Sequence, residues 1–112
     1  MARKVSVIKT LTIANTAALS GEFKMEGYSE IIIFMPAAWT AAGIGFHVST
    51  VSGGTFVPLF DAAGDEIETA AAVDQAYSIT TVSGPYVKLW SQTAGVDVAQ
   101  GAARTITAVL MS

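Results

Sequence analysis

The sequence predicts an all-β fold: one antiparallel β-sandwich, jelly-roll-like, of about eight strands, spanning residues 1–112 as a single domain. Three observations predict it. Apolar residues recur with period two through most of the chain, the spacing of strands that bury one face. Gly, Pro, Asp and Ser clusters interrupt that alternation about every ten residues, as in sandwiches and barrels. The one segment with any case for helix, Ala70-Ala71-Ala72-Val73-Asp74-Gln75, lacks the length and the periodic face a helix needs.

The elements follow in order. Residues 5–13 place Val5, Val7, Leu11 and Ile13 on one parity, with Lys9 interrupting it. Leu19, Phe23 and Met25 alternate next, with Glu22 and Lys24 facing away. Residues 30–35, "EIIIFM", are apolar on both parities, which predicts a central strand covered on both faces. Pro36 stops it, because proline cannot donate to a ladder. Ile44, Phe46 and Val48 alternate with Gly45, His47 and Ser49 before "SGG" turns the chain. Residues 55–60 return, and Pro58 inside them predicts an edge strand or a bulge. After the turn "DAAGDE", residues 67–69 make a short strand candidate. Residues 76–81, 84–93 and 104–111 supply three closing strands; Val87 and Leu89 oppose Tyr86, Lys88 and Trp90 in the second of them.

Composition narrows the function. Six cations against nine anions give a net charge of −3, which disfavours electrostatic binding of nucleic acid. The longest apolar run is far too short to cross a membrane, and Arg3 and Lys4 are followed by alternation rather than by the apolar block of a signal peptide. There is no cysteine, so disulfides, thiolate metal sites and a Cys nucleophile are excluded. Charged residues make up 13% of the chain, where about 25% is typical. Either Ala, Ser and Thr cover the surface, or part of it docks against partners.

Each candidate site has a structural reading beside it. Asp61, Asp65, Glu66 and Glu68 crowd oxygens suited to Ca²⁺, but "DAAGDEIE" lacks the Asp-rich loop pattern, and Asp61 with Gly64 reads as a β-turn. His47, the only histidine, sits on the parity opposite the core and is expected at solvent or an interface. No Gly-x-Ser-x-Gly elbow accompanies it, so no catalytic residue, cofactor or metal is assigned and no enzyme is expected. Trp39, Trp90, Tyr28, Tyr77 and Tyr86 divide among core packing, interface anchoring and sugar stacking. Tyr86 and Trp90 share an outward parity, which makes them the candidates for subunit contact. Arg3, Lys4 and Lys9 hold half of the cations; residues 1–4 read as a short basic arm able to hold an acidic surface.

Two segments, "MPAAWTAAGIGFHVSTVSGGTFVPLFDAAGDEI" and "YVKLWSQTAGVDVAQGAARTITAVL", resemble small β-sandwich domains of tailed-bacteriophage structural proteins. The resembling region spans roughly residues 31–110. These are packing and turn patterns, and none is a catalytic signature. The resemblance implies a capsid decoration (cement) or head-fibre type of protein; without stalk repeat or coiled coil, the decoration type fits better. It implies Trp39 as a plug at one end of the sandwich. The expected function is therefore a virion structural protein, made in the host cytoplasm and bound to the outer capsid surface. Its partners would be the major capsid protein and copies of itself, a trimer favoured, with no nucleic acid and no membrane. Arg3, Lys4 and Lys9 would touch the capsid, and Tyr86 and Trp90 would touch a neighbouring subunit. The alternative is a carbohydrate-binding or tail/fibre-associated adhesion module, since sandwiches of this kind serve both roles.

Overall fold

The computed structural model describes residues 6–112, and Arg3 and Lys4 lie outside that range. Ten strands occur among the described residues: β1 (Ser6–Ile13), β2 (Phe23–Lys24), β3 (Glu30–Phe34), β4 (Gly43–Ser49), β5 (Val57–Pro58), β6 (Glu68–Thr69), β7 (Ala76–Ile79), β8 (Tyr86–Thr93), β9 (Val96–Asp97) and β10 (Arg104–Met111). No helix forms among the described residues, and residues 70–75 run as irregular chain and a turn. Four of the ten strands are two-residue pairings, which is why the regular alternation suggested about eight.

Pairing is nested. β1 pairs β10, β2 pairs β8, β3 pairs β7, and β4 pairs β5 and β6, all antiparallel. Nested antiparallel pairs describe one long ribbon, the first half of the chain running against the second. Wrapping that ribbon adds the pairings β10–β3 and β4–β8 and yields two sheets, β1-β10-β3-β7 and β2-β8-β4-β5. This is jelly-roll connectivity, and the predicted sandwich is what forms.

The core is the inward parity of both sheets. Ile31, Ile33, Ile106, Ala108 and Leu110 face Ile44, Phe46, Val87 and Leu89, and all nine are fully buried. Lys9 falls on this inward parity, paired with Ala108, yet its side chain is exposed because β1 is the edge strand. A charged residue on the inward side of an edge opposes addition of a further strand. Pro58 lies in the edge strand β5, where its missing N–H costs no ladder bond.

One end of the sandwich is tied by Gln100, which is buried. Thr40 N–H donates to its Oε1 (2.8 Å), and its Nε2 donates to Thr40 O (3.1 Å) and Ser91 Oγ (2.8 Å). Arg104 Nε also donates to Gln100 Oε1, at 3.2 Å. The corner of residues 36–43 is thereby held against β8 and β10. Trp39 packs partly buried on the core and closes the corner by donating to Ala42 O (3.1 Å).

One expectation is corrected here. β3 is central in its sheet, but the described residues cover only one of its faces: Ile31 and Ile33 are buried, whereas Ile32 is half-buried and Phe34 is 46% exposed.

Candidate functional site

The outer face of the β2-β8-β4-β5 sheet gathers the polar chemistry of the described residues. The ladder places Gly43, Gly45 and His47 of β4 beside Gln92, Trp90 and Lys88 of β8. On the other side of β4, Gly45 pairs with Glu68 of β6 and His47 with Pro58 of β5. The turn at Ala94 and Gly95, both with positive φ (51° and 78°), folds β9 back onto β8 and brings Asp97 alongside.

Gly45 explains the arrangement. A methyl group at this position would come within 2.9 Å of Trp90 Cε3 and 3.1 Å of Glu66 Oε1. The indole therefore lies down over β4, and it is only 3% exposed. Its Nε1–H donates to Asp97 Oδ1 at 2.7 Å, and the His47 ring meets it edge-on, with centroids 4.5 Å apart at 77°. Trp90 does point away from the main core, as its parity predicts. His47 and Asp97 of the chain itself lie against the ring. Tyr86, also on this face, is half-buried and pairs with Ser49 and Lys24.

Two polar atoms in this cluster are buried without a partner, His47 Nε2 and Glu66 Oε1. Burial lowers the His47 pKa from its ordinary 6.5; Lys88 lowers it further, while Asp97 and a bond with the Phe56 backbone act the other way. Burial, then Glu68, raises the Glu66 carboxyl above its ordinary range.

Beside the cluster a groove of about 410 Å³ opens between Gly43, Glu68, Thr69, Gln92 and Thr93. Its floor is fixed: Gln92 is fully buried, donates Nε2–H to Glu68 Oε2 (2.6 Å) and accepts Gly95 N–H on Oε1 (2.8 Å). A carboxylate and two threonines give the groove acceptors and hydroxyls.

The remaining sequence candidates scatter. Lys9 lies on β1, in the opposite sheet from Tyr86 and Trp90. Tyr28, Trp39 and Tyr77 pack partly buried against the core, so the five aromatic rings assemble no common platform. The Asp61 carboxylate accepts the N–H groups of Ala63 and Asp65, both at 2.9 Å, and Gly64 takes φ 86°. That is the β-turn reading of the acidic segment. Among the described residues no group of three His, Cys, Asp or Glu side chains is placed to hold a metal ion.

Sequence reasoning missed Gln92, Asp97 and the groove. The available signal was glycine at 43 and 45 on the outward parity of a strand, which marks close approach of another group.

The crystal structure of SPBc2 prophage-derived protein YomS is similar to this chain in fold. The superposition covers 100% of this chain and 97% of that one, with a TM-score of 0.63 and 13% sequence identity. No protein-family model matches the chain, and no curated protein matches it by sequence.

Proposed function

We propose that this protein is a virion structural protein of a tailed bacteriophage, a non-enzymatic subunit that decorates and stabilises the capsid by binding its outer surface. The observation that carries the reading is the correspondence of fold with a prophage-derived protein, over 100% of this chain and 97% of that one. The phage-like motifs of residues 31–110 and the low charge density support it.

The mechanism is adhesion. Burial of apolar surface contributes about 25 cal/mol per Å², and several modest contacts on one oligomer reinforce each other. Lys9, with Arg3 and Lys4 ahead of it in the chain, would meet acidic patches of the major capsid protein. The test is addition of the purified protein to capsids that lack it, followed by cosedimentation. Saturable binding at a fixed ratio to the capsid subunit is expected. No binding to mature capsids would overturn the reading.

A second reading is favoured by the groove at Glu68, Gln92 and Thr93, whose oxygens suit sugar hydroxyls. It makes the protein a glycan-binding adhesion module. Binding on a glycan array that is lost in Glu68→Ala would support it, and an array without a hit would count against it.

A further inference from the structure

We infer that His47 is an acid-sensitive latch on residues 55–60: protonation of its ring releases that segment, β5 included, from β4 while the rest of the sandwich stays folded. The latch belongs to the fold and does not depend on the virion reading. Its chemistry lies at one atom, His47 Nε2, which is buried and has no partner. A neutral ring can keep a lone pair there. A charged ring must place an N–H there, and an ionised donor without an acceptor is costly to bury.

The groups around the ring do not supply that acceptor. Trp90 of β8 meets it edge-on, with centroids 4.5 Å apart. Lys88, the ladder partner of His47 on β8, is a like charge. Asp97 of β9 is the favourable charge, and its Oδ1 accepts from Trp90 Nε1 at 2.7 Å. Glu66 and Glu68 stand beside Gly45, the next position of β4 on this face. Residues 55–60 bring no charge of their own; they contribute the Phe56 backbone, which bonds the ring. Burial, with Lys88 acting the same way, outweighs Asp97 and Phe56, so the closed cluster favours neutral imidazole.

Water reaches Nε2 only when one of these covers moves. β4 and β8 pair along seven residues, and Trp90 is held between Gly45 and Asp97. Residues 55–60 are the weak cover. They pair with β4 at Val57–Val48 and Pro58–His47, and Leu59 N–H adds a bond to Phe46 O (2.9 Å). None of the six residues is buried, and Val57 and Phe60 are each 52% exposed. A segment with so few buried apolar contacts opens locally at a lower free energy than the whole fold. The charged ring is relieved by that opening, so acid opens this segment first.

Amide hydrogen exchange of the full chain tests this, followed by NMR from about pH 7.5 to about pH 5 and corrected for intrinsic chemistry. Leu59 N–H reports the segment, and the amides of β10, paired on both sides, report the core. Leu59 is expected to exchange faster than the β10 amides at every pH. Its protection should fall below pH 6.5, by up to about 10-fold per pH unit. His47→Gln should abolish that fall. Asp97→Asn keeps an oxygen for Trp90 Nε1 and removes the charge that favours imidazolium, so the fall should become larger and extend to lower pH. It decides alone if His47→Gln does not fold. Leu59 protection that does not change with pH, or a fall unchanged in either variant, overturns the inference. So does exchange of Leu59 at the rate of the β10 amides throughout, since the opening would then be unfolding of the whole chain.

Discussion

Trp90 and Gly45 occupy one volume between them. The indole lies where a side chain at 45 would be, 2.9 Å from the position of a Cβ. Gly45→Ala therefore pushes a six-membered ring, the Glu66 carboxylate and the Asp97 bond together, with a cost of about 1–3 kcal/mol in urea unfolding. His47, against the same ring, makes stability depend on pH. Its folded pKa lies below the 6.5 of the unfolded chain, chiefly through burial. Between those two values the unfolded chain binds more protons than the native state. Stability is thus full above 6.5 and falls as the pH drops through that window. Glu66 has the opposite sign, since its folded pKa is raised above 4.5: its contribution is present below 4.5 and is lost as the pH rises through the folded value. Comparing His47→Gln with the native chain isolates the imidazole: the fall in Tm between pH 8 and pH 5 should be smaller in the variant. Equal falls in the two proteins would assign the dependence elsewhere.

At the scale of elements, the corner between β3 and β4 depends on a side chain 60 residues further along. Gln100 bonds both backbone groups of Thr40, and Ser91 and Arg104 bond Gln100 in turn. Gln100→Leu keeps the volume and leaves Thr40 N–H and the Arg104 guanidinium short of partners. A loss of about 2–4 kcal/mol in chemical denaturation is expected. The inward rows of the long strands, Pro58 at an edge and the Asp61 turn were legible, because period two and turn chemistry are local signals. The cover over Trp90 was not. It comes from the His47 ring and from Asp97 in β9, whose two residues carry no periodicity. Parity told which way the indole points and nothing about what lies on it. Gln100 was hidden for a related reason, since its partners come from three separate segments of the chain. The apolar outward residues of β3 were seen and assigned to a covered face. The described residues leave that face open.

For the whole molecule, the two sheets carry different surfaces. One outer face holds the His47–Trp90–Asp97 cluster and the groove floored by Gln92. The other is a plain of Ile, Val, Phe and Thr with a single charge at its end row. A jelly roll permits this division because its ribbon gives each sheet its own outward parity. The most direct test of the virion reading is immunogold electron microscopy of gradient-purified particles of the encoding phage, with an antibody raised against this chain. Gold distributed over the heads is the predicted result; gold confined to the tail, or a protein absent from the purified particles, would contradict it.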